Sequence, residues 1–241
     1  MSIEHIDNQI NDILYGKRDL PQFNQPEHAG VCSAGPLLVG ALIVCHNCRE
    51  SLSASCDASG GQRSPSNWQI DEAQEKSVQQ WAESKGVWFS DAEQWIVENN
   101  ARKIAQGAEA VVYYKTGDMA VLKARTSIYA TLERAFEAIA LHNALFPETI
   151  MRVIGFTRDA DGLFRVLLTQ PYIECLRLAT KQEIDILDAA KGFSDNGDDK
   201  GVNYLSNRLH LEDMHPANVF VEPLTGKPIC IDCIVKFRRD Q

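Results

Sequence analysis

The sequence predicts an α+β fold: a five-stranded antiparallel sheet over residues 101–170, one long helix packed across it, and a smaller second lobe behind it. Three observations carry this expectation. Short runs of alternating apolar residues, broken by Gly and Asp turns, recur from Ile104 to Gln170, as in strands joined by tight connections. One stretch of helical periodicity, Thr126–Phe146, interrupts them and puts Leu132, Phe136, Ile139 and Ala140 on one face. Further on, the polar loop Asp213-Met-His-Pro-Ala-Asn218 precedes Asp232, which closes the apolar run Pro228-Ile-Cys-Ile.

The front of the chain, residues 1–100, lacks this pattern and is expected to be an extension packed on the 101–241 domain. Ile3, Ile6, Ile10, Ile13 and Leu14 recur at helical spacing without the features of a signal peptide. Gly35–Cys45 is the most apolar run. It is too short for a membrane span, which needs ~20 residues, and is assigned as a buried strand or strand pair. Ser51–Ser66, rich in Ser and Gly, is expected as a loop. Glu72–Lys85 is a helix ended by Gly86, and Ser90-Asp-Ala-Glu93 has the form of a capping box opening a helix with Trp95 and Ile96.

From residue 101 onward, Gln106-Gly107-Ala108-Glu109-Ala110 sits between two apolar runs, so it is a tight turn between strands. Met119–Ala124 alternates and ends near Lys123. In the helix that follows, Glu133 and Glu137 lie four apart, one turn from each other on the same side. Met151–Phe156 and Leu163–Gln170 flank an Asp159–Gly162 turn. The second of these strands leads into Pro171-Tyr172-Ile173. Thr180–Phe193 can form one helix, with a polar loop over 194–201 behind it.

The loop residues define the chemistry. Two carboxylates and an amide, Asp213, Asn218 and Asp232, supply the groups phosphoryl transfer needs. The first carboxylate can accept or orient the proton of an attacking hydroxyl. The amide oxygen and the second carboxylate are hard oxygen ligands suited to Mg2+ on nucleotide phosphates. In this order the segments resemble a kinase catalytic loop and metal-binding loop. The D-x-H-P-x-N form is closer to the aminoglycoside and choline phosphotransferases than to typical protein kinases. Leu211-Glu212-Asp213 stands for H-R-D, and Asp232-Cys233-Ile234 for D-F-G. The turn Q-G-A-E-A is similar to that of the atypical kinases associated with tRNA modification.

This resemblance implies roles residue by residue. Gly107, Ala108 and Glu109 form the phosphate loop, and Lys123 contacts the phosphates. Glu137 pairs with Lys123, favoured over Glu133 by its depth in the helix and its spacing. Pro171, Tyr172 and Ile173 form the adenine hinge. Asp213 is catalytic, and Asn218 and Asp232 hold the metal. His215 braces the loop, and His142 is a packed helix residue. The chain stops nine residues after Asp232, leaving no room for an activation segment, so a truncated C-terminal lobe is expected. With the cysteine-bearing front segment and Leu141-His-Asn-Ala-Leu-Phe-Pro147, this resembles the small kinase-like domains of polyvalent proteins, which bacterial phages and conjugative elements carry. The implied function is an ATP-dependent phosphotransferase using Mg-ATP on an unknown acceptor, protein or small molecule. The alternative is a nucleotide-binding pseudokinase or an interaction module of a polyvalent mobile-element protein.

Composition narrows the partners. A net charge of −9 and a pI near 5.2 argue against broad binding to nucleic acid or anionic membranes. Seven cysteines, an odd count, and no secretion signal suit a reducing cytoplasm. Cys45-His-Asn-Cys48 has the spacing of half a zinc site, with Cys32, His46 and Cys56 near in sequence. A second pair with ligand spacing is missing, so ordinary thiols are expected ahead of a zinc or redox site.

Overall fold

The computed structural model describes residues 35–58, 64–98, 100–127, 129–198 and 200–238. The expected helix over Ile3–Leu14 and Cys32 lie outside them.

The larger lobe is a six-stranded sheet covered on one face by helices. Its strands are β1 (Trp88–Phe89), β2 (Arg102–Gln106), β3 (Ala110–Tyr114), β4 (Ala120–Arg125), β5 (Arg152–Arg158) and β6 (Phe164–Pro171), in the spatial order β1-β5-β6-β4-β3-β2. The five strands from β2 to β6 pair antiparallel, as their alternation requires. The expected count of five is corrected by β1, which pairs parallel to β5 at the sheet edge. Two residues are too few to show alternation, and β1 follows directly on a helix cap at Gly86, whose φ of 68° is left-handed. The approach of β1 is possible because β5 carries Gly155, where a Cβ would fall 2.7 Å from the Val87 carbonyl oxygen.

The helices are α1 (Pro36–Ala58), α2 (Asn67–Lys85), α3 (Ala92–Glu98) and α4 (Leu132–Leu145). Here the structure overturns one expectation: Gly35–Cys45 is the first half of α1, not a strand or strand pair. Buried Leu38, Ala41, Leu42 and Cys45 repeat at helical spacing. The run looked like a strand because α1 is buried on several sides, which leaves little polar contrast to reveal its period. Pro36 at the first helical position suits a helix start. A Cβ on Gly40 would lie 2.5 Å from the Trp81 ring, so α1 and α2 pack closely there. The expected loop over Ser51–Ser66 is also corrected, since α1 continues to Ala58. Ser51 and Ser55 are accommodated by donating their hydroxyls to the carbonyls of Asn47 and Ser51 one turn back. The long helix begins at Leu132, with Thr131 in an extended N-cap conformation, later than the expected Thr126.

Leu38, Leu42 and Cys45 of α1, Val78 of α2, Phe136 and Ile139 of α4, and Phe156 and Leu168 of the sheet share one core. The second lobe holds β7 (Arg177–Leu178), α5 (Lys181–Ala190), β8 (Ser194–Asp195), β9 (Tyr204–Leu205), β10 (Leu209–Glu212), β11 (Val219–Val221), β12 (Pro228–Cys230) and β13 (Ile234–Phe237). They form two small sheets, β13-β10-β9-β8 and β12-β11-β7. Thr180 caps α5 reciprocally with Glu183. The end of α4 supplies Leu141, Leu145 and Phe146 to this lobe's core, where they meet Leu211, Met214, Val219 and Cys230. Thus α4 is shared by both cores, and the segments between the lobes are held from each side. Among the described residues, no helix is long and apolar enough to cross a membrane.

Candidate active site

Two ladders bring the polar loops together. On one, β10 pairs with β13 so that Glu212 faces Ile234. On the other, β11 pairs with β12, and the ladder continues with Ile231 N–H donating to the Asn218 carbonyl at 2.8 Å. Loop 213–218 is therefore flanked by the 231–233 segment at both of its ends. Within the loop, Asp213 has a left-handed φ of 65°, a costly conformation for a non-Gly residue. It is held by its neighbours: Asn218 Nδ2 donates to the Asp213 carbonyl and to its Oδ2, each at 3.0 Å. The Asn218 amide is thereby oriented with its nitrogen toward Asp213.

His215 braces this loop. Its Nδ1 accepts from Ala217 N–H at 3.2 Å. Its Nε2 lies 3.2 Å from Asn218 Nδ2 and 3.4 Å from Asp213 Oδ1. Met214 anchors the turn from below, being fully buried and bonded through its N–H to the Val202 carbonyl. The Asp213 side chain remains about half exposed, at 49%.

Across the cleft, β4 carries Lys123, buried at 6% side-chain exposure. Lys123 Nζ lies 3.2 Å from Asp232 Oδ2 and donates to the Ile231 carbonyl at 3.3 Å. Burial alone would push the Asp232 carboxyl up, but Lys123, Arg125 and His142 pull it below its ordinary value, to about 2. Asp232 is therefore an anion under ordinary conditions. Burial, with Lys123 and Arg125 close by, lowers His142 to about 4 and keeps it neutral, although Asp232 pulls the other way. Its Nδ1 sits 3.3 Å from Cys233 Sγ.

Arg125 is the residue the sequence reading did not single out. Its guanidinium donates to Glu109 Oε2 at 2.8 Å and lies 3.6 Å from Asp232 Oδ1. The signal was present in Lys123-Ala-Arg125, because residues two apart on a strand leave the same face.

The expected phosphate loop is a tight turn. Gly107 N–H donates to the Ala110 carbonyl at 2.9 Å, and open space surrounds the position a Gly107 Cβ would take. Ala108 sits beside it in the same turn, and Glu109 points inward to Arg125. At the expected hinge, Pro171 has no N–H and Tyr172 N–H is engaged by the Met119 carbonyl at 2.9 Å. A donor offered to a ligand would come from Ile173 or beyond. The Tyr172 ring stacks on Tyr114 with centroids 4.6 Å apart.

The two helix glutamates separate. Glu133 is committed to the front helices, taking Arg49 Nε at 2.9 Å, His46 Nδ1 at 3.4 Å and Gln74 Nε2 at 3.2 Å. Glu137 lines a cleft of about 420 Å³ between α4 and the β10–β13 ladder, with Tyr129, Arg134, Glu212 and Lys236. At the front, Cys45 is buried, and burial raises its thiol well above the ordinary value. Among the described residues, no cluster of three or more His, Cys, Asp or Glu could hold a metal ion.

A family model described as serine/threonine/tyrosine kinase found in polyvalent proteins matches residues 71–239. No curated protein matches the chain.

Proposed function

Because this chain belongs to the family of serine/threonine/tyrosine kinases found in polyvalent proteins, we propose that it is an ATP-dependent phosphotransferase working in the cleft between its lobes. The observation that carries this reading is the contact of Lys123 with Asp232, beside a loop that presents Asp213 and Asn218. A scaffold has no physical need for two carboxylates and an amide gathered beside one buried lysine.

The residues fit Mg2+. Asp232 is ionised, and the Asn218 amide turns its nitrogen to Asp213, so its oxygen is the atom left for a cation. When bound, the metal would neutralise charge on the nucleotide phosphates. Lys123 supplies a point charge to the phosphates. The turn at Gly107, Ala108 and Glu109 covers them, and the chain after Tyr172 takes the adenine edge. Asp213 accepts the proton of the acceptor hydroxyl as its oxygen attacks the terminal phosphorus and the bond to the leaving diphosphate breaks. Its exposed carboxylate and fixed backbone suit that task. To orient Lys123, Glu137 would have to turn toward it from the cleft it lines beside α4. The acceptor is a hydroxyl-bearing protein or small molecule. The charge balance of the chain, −9, favours neither nucleic acid nor an anionic membrane as a partner.

A second reading, a nucleotide-binding pseudokinase or interaction module, draws on one observation: Asp232 already has a protein cation near each carboxylate oxygen. Radiolabelled ATP separates the two. Wild type should transfer label to itself or to a component of a cell extract. Asp213→Ala should lose about 10²–10⁴-fold in turnover while keeping ATP affinity, and Lys123→Ala should lose both. Equal background in all three, with extract supplied as acceptor, sinks the enzyme reading.

A further inference from the structure

Arg125 is a second buried cation on β4, with its side chain 9% exposed. It leaves the same strand face as Lys123. Its two terminal nitrogens go different ways. Nη2 donates to Glu109 Oε2 at 2.8 Å, while Nη1 lies 3.6 Å from Asp232 Oδ1 and 3.7 Å from Met151 Sδ. Asp232 thus sits between Lys123 on Oδ2 and Arg125 on Oδ1. Glu109 is held twice by the end of β4, through this ion pair and through its carbonyl, which accepts from Thr126 N–H at 2.7 Å.

We propose that Arg125 is a positioning residue that ties the phosphate loop to the metal-binding loop, through Glu109 on one side and Asp232 on the other. The inference rests on the phosphotransferase reading above. A guanidinium suits the task because its rigid fork can hydrogen-bond one carboxylate through Nη2 while Nη1 holds charge 3.6 Å from another, whereas an ammonium is a single point of charge. A buried Arg hydrogen-bonded to Glu109 and within ion-pair range of Asp232 fixes the gap between the two loops. Breaking the link at Glu109 frees the turn around Gly107 without touching Lys123, Asp213 or Asn218. The phosphate loop then closes less well on ATP, so the effect falls on KM. Replacing the fork at Arg125 loosens Asp232 too, so the dependence on Mg2+ shifts as well.

The experiment measures ADP release against ATP and against free Mg2+ for wild type, Glu109→Gln, Arg125→Lys and the double variant, with nucleotide-free melting curves for each. Glu109→Gln should raise KM for ATP about fivefold, a larger change than in kcat. Arg125→Lys should raise both KM for ATP and the Mg2+ half-saturation. The double variant should be no weaker than Arg125→Lys alone, because the link is already cut. Glu109 is on the turn and partly exposed, so its variant reports even where Arg125→Lys fails to fold. An active wild type whose KM is indifferent to Glu109→Gln overturns this inference alone, as do single effects that multiply independently. A wild type without turnover overturns the phosphotransferase reading, and this inference with it.

Discussion

Lys123 Nζ and Asp232 Oδ2 stand 3.2 Å apart, joining the middle of the large sheet to the loop after β12. Each stabilises the other's charge, so removing one leaves the other buried without its partner. Asp232→Asn should lower nucleotide-free stability by about 1–3 kcal/mol in urea unfolding. That is below the range for a fully buried pair, because the Asp232 side chain is 29% exposed.

Mg-ATP should raise the melting temperature of wild type by mass action. A ligand at 100 times its Kd adds about 2.7 kcal/mol. In Asp232→Asn the Mg2+-dependent part of that rise should vanish while any Mg2+-independent part stays. A variant that keeps the full Mg2+-dependent rise would remove Asp232 from the metal site.

His142 and Asp188 should make opposite contributions to acid stability. His142 is depressed to about 4 in the folded chain, so between pH 6.5 and 4 the unfolded chain binds the extra proton, and this contribution is lost as pH falls. Burial raises Asp188 to about 7, so its contribution is present below pH 3.8 and lost as pH rises through 7. The two slopes oppose over the same window. Asp188→Asn should unmask a stability that falls from pH 6.5 to 4, and His142→Gln should unmask one that rises. Urea midpoints taken across this range read the slopes, and parallel curves in all three proteins would refute the assignment.

Among the described residues, neither buried Asp188 carboxylate oxygen has a hydrogen-bond partner. Ionising this group at high pH is therefore a net cost. At pH 8, Asp188→Asn should be more stable than wild type by on the order of 1–3 kcal/mol, since a pKa unit corresponds to about 1.4 kcal/mol. The gain should shrink toward pH 5. A variant less stable than wild type at pH 8 would show that the carboxylate has a partner.

Gly155→Ala should destabilise strongly. The new Cβ would meet the Phe89 ring at 2.3 Å and the Val87 carbonyl oxygen at 2.7 Å, and the carbonyl is backbone that cannot swing away. A loss of about 2–4 kcal/mol is expected. Phe89→Ala on the same background should recover only the ring's share.

The strands around Lys123 were legible because a half-buried sheet writes its period directly into the sequence. The turn at Gly162 and the spacing of Asp213 to Asn218 were legible because each needs particular residue types at fixed offsets. Gly35–Cys45 was not. A helix covered by α2, α4 and the sheet has almost no polar face, and an apolar run of that length fits strand and helix alike. Strand β1 was hidden for the opposite reason, being only two residues long. Arg125 was overlooked because its importance lies in its partners, Glu109 and Asp232, sixteen residues behind and far ahead of it.

Helix α1 precedes the stretch matched by the family, yet it packs into the core that holds α4. It also supplies Arg49 and His46 to Glu133 near the start of α4. The pose of that helix is thus inherited from a neighbour outside the recognisable motif. A fragment begun at residue 71 would lose Leu38, Leu42 and Cys45 from against Phe136 and Ile139, and would turn that seam into adhesive surface. Such fragments would cling to one another, and any slackness in α4 would be passed along it to His142, beside Cys233 next to Asp232. The part of the chain that carries the signature and the part that must be kept for the signature to function are therefore different lengths.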